Sequence, residues 1–335
     1  MLILLTSDIH MDNKDKNEYR WELFPWIQSI CTSKHVDYVI IGGDIFHEKD
    51  YHPAALVNRF VDNLVETLKY TKRILMIKGN HDMIEQTNPY LRWINHVAGI
   101  NFFVKPELMQ IGDKNWLFLP WDPDPKTNWA KLDKEFSMAD YIICHQTFDG
   151  TTIEGGRQLS GIDQKIFNNT KAKIYCGDIH SPGILGRVTY LGSPYHTTFG
   201  DNYLPRCILL DTNSGTETNL YFNTIRRYTV NISNPSDLAK CPFKKGDQIK
   251  VRLTLENITD WESHKTQITK YCQEHELVLH QIESVRKDVS TVLEAQKLKL
   301  KSLTPKEIYE NFCRVAELKG DIAKYGQQII EEEVK

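Results

Sequence analysis

The 335-residue sequence has no C-x-x-C pair, no run of about 18 apolar residues, no internal repeat and no excess of positive charge. Each absence removes a class of protein. Seven cysteines are present, at 31, 144, 176, 207, 241, 272 and 313. They are scattered, and Cys144 and Cys176 lie inside apolar runs where a reduced thiol packs as a small hydrophobe, which points to a reducing, cytoplasmic compartment. Without a long apolar run no membrane-spanning helix is expected, and Met1 to Leu5 lacks the basic start and the apolar length of a secretion signal. A net charge of −3 and a pI near 6.5 exclude coating of nucleic acid by bulk charge. Any such contact must come from local patches.

The length exceeds one domain of about 100 to 200 residues, so a large domain with smaller additions is expected. Ile3 to Thr6, Tyr38 to Ile41, Ile74 to Ile77, Tyr141 to Cys144 and Ile174 to Cys176 are short apolar runs without alternation, the pattern of strands covered on both faces. Helical stripes lie between them: Trp21, Phe24, Ile27 and Ile30/Cys31, then Leu56, Phe60, Leu64 and Leu68. This is a layered α/β pattern. Cys207 to Leu210 and Leu220 to Phe222, around the turn at Asn213 to Gly215, read as closing strands. After Asn234-Pro235, a strand at Ile249 to Leu255, a helix at Asp260 to His275 and a strand at Leu277 to Ile282 form a small α+β unit. A charged stretch from Ser284 to Ser302 precedes two helical patterns, the first opened by Thr304, Pro305 and Glu307 at capping-box spacing. The boundaries expected are 1–224, 225–287 and 288–335.

Metal-capable residues stand at the carboxyl end of each apolar strand. In order they are Asp8 and His10, Asp44 in G-G-D, Asn80 and His81 in G-N-H-D, His145 in C-H, and Asp178 and His180 in G-D-x-H. Ligands in open α/β sheets bind beyond the carboxyl ends of strands, so these loops are expected to converge. A strand that frays into a loop can turn both ends of D-x-H toward one point while the middle residue anchors in the core. Carboxylate, imidazole and amide oxygen together suit manganese, iron, zinc or magnesium, and the lack of thiolates argues against structural zinc.

This motif set, spread over about Met1 to Tyr221, resembles the calcineurin-like metallophosphoesterases. Within that group, G-G-D-I-F-H-E at Gly42 to Glu48 resembles the SbcD-type nuclease subunits of double-strand-break repair complexes. The resemblance implies a four-layer sandwich of two mixed β-sheets flanked by helices, with a small α+β cap and a C-terminal helix pair. It also implies two divalent metal ions, manganese before magnesium. Asp8, His10 and His180 would hold one, Asn80, His145 and Asp178 the other, and Asp44 would bridge them. His81 would face the scissile phosphate with Asp82 orienting its imidazole, and His47 would present the DNA strand. The family has G-H-x-H where this chain has Gly177-Asp178-Ile179-His180, and a carboxylate in that place favours harder ions.

Further expectations follow from the same resemblance. Lys244, Lys245, Lys250 and Arg252 would contact DNA phosphates from the cap. Ile308, Phe312, Val315, Ile322, Tyr325 and Ile329 would bind the coiled coil of an SMC/ABC-type ATPase. The helices at Pro53 to Tyr70 and Tyr90 to Val97 would form a homodimer contact. The implied activity is a manganese-dependent DNA exonuclease on duplex ends and endonuclease on hairpins or single strands, in recombination and repair within the cytoplasm. A phosphomonoesterase or cyclic-nucleotide phosphodiesterase on the same scaffold, and a non-catalytic bridge between DNA and ATPase, remain open.

Overall fold

The structure is a computed structural model that describes residues 1–85, 88–153, 156–255 and 260–286, and residues 309, 310 and 313 of the C-terminal segment. The six residues expected to bind an ATPase lie outside the described residues. The chain divides into two compact units, Met1–Tyr228 and Thr229–Lys335.

The first unit holds β1 (Leu2–Thr6), α1 (Leu23–Lys34), β2 (Tyr38–Ile41), α2 (Ala54–Thr67), β3 (Arg73–Ile77), β4 (Ile100–Phe103), β5 (Glu107–Ile111) and β6 (Lys114–Leu119). It continues with α3 (Pro125–Trp129), α4 (Asp133–Met138), β7 (Tyr141–His145), β8 (Lys173–Gly177), β9 (Gly183–Leu185), β10 (Val188–Tyr190), β11 (Cys207–Asp211) and β12 (Thr216–Leu220). Two six-stranded mixed sheets result, ordered β12-β11-β1-β2-β3-β4 and β5-β6-β7-β8-β10-β9. Strands β1 to β4 run parallel, as do β6, β7, β8 and β10, while β11, β12, β5 and β9 run antiparallel to their neighbours.

Alternate side chains sort into layers. Ile3, Leu5, Ile40, Leu75 and Ile77 of the first sheet meet Trp116, Phe118, Ile143 and Tyr175 of the second in a buried seam. Leu4, Val39, Ile41, Ile74 and Met76 face the other way, onto Phe24 and Ile27 of α1 and Leu56, Phe60 and Leu64 of α2. On the far side, Ile142, Cys144, Ile174 and Cys176 pack with Trp129 and Phe136 of α3 and α4. Burial on both faces is why these strands read as unbroken apolar runs. The four layers are helices, sheet, sheet and helices.

Some boundaries differ from expectation. The Tyr90 to Val97 helix is a 3-10 helix, Tyr90–His96, in which Leu91 and Ile94 are buried; an i, i+3 spacing fits a 3-10 turn as well as an α-helix. The closing strand ends at Leu220, and Phe222 instead packs its ring near Trp26, with centroids 5.5 Å apart. On α2, Leu56, Phe60 and Leu64 are buried, whereas Val65 is 45% exposed; Tyr90 and Trp93 of the 3-10 helix are 47% and 41% exposed.

A three-stranded sheet ordered β13 (Arg227–Ile232), β14 (Gln248–Leu255), β15 (Val278–Arg286) continues into the second unit, with α5 (Trp261–Glu274) between β14 and β15. Ile249, Val251, Leu253 and Leu255 are buried, along with Ile268 and Cys272 of α5, so β14 shows the alternation of a sheet covered on one face.

Close approach of the two sheets at their carboxyl ends requires glycine. At Gly177 an added Cβ would overlap Ser7 and the Gly42 carbonyl and stand 2.6 Å from His145 Nδ1. Gly177→Ala is therefore expected to cost about 1–3 kcal/mol in urea unfolding followed by tryptophan fluorescence. An unchanged midpoint and slope would contradict this packing.

Candidate metal centre

The carboxyl ends of β1, β2, β3, β7 and β8, with the loops that leave them, deliver the side chains named from the sequence, His145 being the last residue of β7. The loops after β1 and β2 run side by side, held by Asp8 N to Gly43 O, His10 N to Asp44 O and Met11 N to Ile45 O at 2.8 to 3.0 Å. Turning the side chains inward costs backbone strain. Asp8, His10, Asp44 and Asp178 have φ of 53°, 40°, 53° and 84°, the left-handed region that non-glycine residues avoid. Strain of about 1–3 kcal/mol per residue persists where surrounding bonds impose it, and here it marks four of the seven expected ligands.

The donors converge in two groups on either side of Asp44. Its Oδ2 lies 3.4 Å from His10 Nε2, and its Oδ1 lies 3.3 Å from His145 Nε2. On the first side, His10 Nε2 and His180 Nε2 are 3.0 Å apart, and Asp8 joins them with all three donor atoms within 4.8 Å. On the second side, His145 Nε2 faces Asn80 Oδ1 at 3.3 Å and Asp178 Oδ1 at 3.8 Å. The structure thus brings together Asp8, His10, Asp44, Asn80, His145, Asp178 and His180.

Protonation geometry fits a cation. His145 Nδ1 donates to the Gly42 carbonyl at 2.7 Å, so a neutral ring turns the lone pair of Nε2 toward three oxygen acceptors. Asp8 Oδ2 and His10 Nδ1 are buried without a hydrogen-bond partner among the described residues. Burial pushes the Asp8 carboxyl up to about 7, with Asp44 and Asp178 adding to the rise and His145 opposing it. Burial, then the neighbouring Asp82 charge, likewise raises Asp44 well above the usual carboxylate range. Burial lowers the His10 and His180 imidazoles. Desolvated carboxylates facing unprotonated imidazoles are costly alone and favourable around a cation. A divalent ion on the first side would be held by Asp8, His10 and His180, one on the second by Asn80, His145 and Asp178, with Asp44 touching both.

His81 sits at the edge, half-buried. Its amide donates to Asp44 Oδ1 at 2.9 Å and its Nδ1 to the His47 carbonyl at 2.7 Å. The exposed His47 ring is near it, with centroids 6.2 Å apart and planes at 29°. Asp82 corrects the expectation that it orients the His81 imidazole. Its Oδ1 accepts from the Ile45 amide at 2.8 Å and its Oδ2 from the Gly79 amide at 2.8 Å. A buried carboxylate that satisfies orphan amides clamps the loop after β3 to the loop after β2.

Several supporting residues carried no sequence signal. Thr147 donates to Asp178 Oδ2, and Thr197 Oγ1 lies 2.6 Å from His180 Nδ1. The buried Arg20 donates to the His10 carbonyl and lies 3.7 Å from Asp12, while Arg227 donates to the Thr197 carbonyl and to Asn17. A cavity of about 380 Å³ borders Asp178 and His180 and is lined also by Thr147, Ile153, Leu159 and Tyr203. The cap cations lie in the second unit: Lys245 pairs with Glu276 at 2.5 Å and Arg252 with Glu283 at 3.2 Å, while Lys244 is exposed and Lys250 half-buried.

Asp8→Asn removes a buried charge whose Oδ2 has no hydrogen-bond partner among the described residues. At pH 8, above the raised Asp8 value, this variant is expected to melt higher than wild type without metal and to gain less from added divalent cations. A lower metal-free melting temperature would contradict the crowding of negative charge described here.

Residues 1–182 match the sequence profile of the calcineurin-like phosphoesterases. Exonuclease subunit 1 of Enterobacteria phage T4 is 23% identical over 252 residues, covering 71% of each chain. A nuclease, MPE, from Pseudomonas putida overlays with a TM-score of 0.32 and 13% identity, over 65% of this chain and 87% of that one. The AQ665 protein of Aquifex aeolicus overlays with a TM-score of 0.25 and 14% identity, over 42% of this chain and 76% of that one. No helix among the described residues is long and apolar enough to cross a membrane. With its profile match running from the first strand through the last metal motif, this chain belongs to the calcineurin-like phosphoesterase family.

Proposed function

We propose that this chain is a two-metal nuclease that hydrolyses phosphodiester bonds in DNA. The observation that carries the proposal is the Asp44 carboxylate, whose two oxygens serve two separate groups of donors at 3.3 and 3.4 Å. Bound divalent cations supply Lewis acidity and neutralise charge on a phosphodiester. The chain's own residues supply the rest. His81 Nδ1 is committed to the His47 carbonyl, which leaves Nε2 as the atom that can hold or move a proton at the leaving oxygen. Asp82 keeps the His81 loop against the Asp44 loop, so that this nitrogen stands beside the centre. The His47 ring lies outermost, where it can contact the strand that enters.

The likeness to a phage exonuclease subunit supports a nucleic-acid substrate and a partner subunit; that the substrate is DNA and the partner an ATPase is proposed from the resemblance of the motifs to the SbcD-type nucleases. The proposed activity is exonucleolytic at duplex ends and endonucleolytic on hairpins and single strands, in repair and recombination within the cytoplasm, or that of the host cell for a phage-encoded chain. Manganese is the proposed ion, because Asp178 gives the second group of donors an oxygen where the family places a nitrogen. Lys244, Lys245, Lys250 and Arg252 are proposed phosphate contacts; the pairs with Glu276 and Glu283 are surface pairs, and such pairs exchange readily for phosphate. The exposed Val65, Tyr90 and Trp93 are proposed to meet a second copy. The residues 288–335 are proposed to hold the ATPase-binding segment.

Labelled linear duplex and hairpin DNA incubated with manganese tests the reading. Wild type should cleave both, and His81→Ala should lose about 10²–10⁴-fold in rate with cation binding retained. Release of phosphate from small monoesters without degradation of DNA would contradict it, as would an His81→Ala protein that cleaves normally.

A further inference from the structure

We infer that Asp201, acting through Thr197, fixes the tautomer of His180 and so turns its Nε2 lone pair into the metal centre. The inference deepens the proposed function, since it rests on His180 being a ligand. Both are positioning residues, acting through the His180 ring.

Thr197 Oγ1 has one proton and two polar neighbours, His180 Nδ1 at 2.6 Å and Asp201 Oδ2 at 3.1 Å. Asp201 is surrounded by donors. Its Oδ2 accepts from the Thr197 amide at 2.6 Å and the Thr198 amide at 2.8 Å, and its Oδ1 accepts from Thr198 Oγ1 at 2.8 Å. The Tyr203 hydroxyl stands 3.2 Å from Oδ2 as well. Of the two acceptors facing the Thr197 hydroxyl, an ionised carboxylate makes the stronger, charge-assisted hydrogen bond, so the Thr197 proton is assigned to Asp201. Thr197 Oγ1 is then left as an acceptor, and the proton on His180 must sit on Nδ1. Nε2 keeps its lone pair, 3.0 Å from His10 Nε2.

The opposite arrangement is chemically available. Were Thr197 to donate to His180 Nδ1, the imidazole proton would move to Nε2 and point at His10 Nε2. That closes a hydrogen bond between the two histidines and blocks the centre. Asp201 decides between them, and Arg227 holds the Thr197 backbone in place through its carbonyl. Metal-binding histidines usually show such a partner on their second nitrogen; here the carboxylate acts one residue removed, through a hydroxyl.

The test reads the ring directly. Nitrogen-15 NMR of the metal-free wild-type protein at ~pH 8, where an imidazole is neutral, should show His180 protonated at Nδ1. Asp201→Ala should shift population toward the Nε2–H form. Asp201→Ala and Thr197→Val should each weaken divalent-cation binding by about 10–100-fold in calorimetry. Thr197→Ser keeps the hydroxyl, and Asp201→Asn keeps an acceptor oxygen, so both should stay close to wild type. The wild-type spectrum needs no variant to fold, and Nε2–H at His180 in a protein that binds divalent cations would overturn this inference alone. An Asp201→Ala protein with unchanged tautomer would do the same. Wild type that binds no divalent cation would overturn both this and the proposed function.

Discussion

Everything at the metal centre turns on one carboxylate with two duties. Asp44 sends Oδ2 toward His10 and Oδ1 toward His145, and its neighbours come from both sheets. Buried carboxylates repel one another and lose water, so Asp8, Asp44 and Asp178 in one pocket are unfavourable unless positive charge joins them. The fold tolerates this by rigid means. Glycines bring the strand ends together, paired loop backbones fix Asp8, His10 and Asp44 at positive φ, and Asp82 ties two loops by their amides. Stability is spent locally so that the donors are placed before an ion arrives.

The layer order explains why the donors can meet. Two sheets packed face to face align the carboxyl ends of β1, β2 and β3 with those of β7 and β8. Sequence positions 8, 44, 80, 145 and 178, far apart along the chain, become neighbours there. A network extends outward from this point: Arg20 grips the His10 carbonyl, and Arg227 links Asn17 to the Thr197 loop beside His180. The first metal motif is therefore braced by one buried guanidinium group, Arg20, and the loop beside the last by another, Arg227.

Much of this was legible in the sequence, for a physical reason. A strand buried on both faces is an uninterrupted apolar run, so a polar residue at its end stands out, as at Thr6-Ser7-Asp8 and Cys176-Gly177-Asp178. Strand β5, with its mixed burial at a sheet edge, and the three-residue β9 and β10 leave no such signal. The 3-10 helix at Tyr90 was concealed by a spacing common to both helix types. The supporting residues were illegible because they act across space. Thr197 and Asp201 lie in a loop whose sequence shows only a polar turn, and Asp82, beside His81, bonds loop amides that no linear pattern reveals.

The central claim is that Asp44 joins two cation sites, and diffraction from manganese-soaked crystals at the manganese absorption edge tests it most directly. The account predicts two anomalous peaks, one among Asp8, His10 and His180 and one among Asn80, His145 and Asp178, each within bonding distance of a different Asp44 oxygen. A single peak remote from Asp44, or none at saturating manganese, would contradict it.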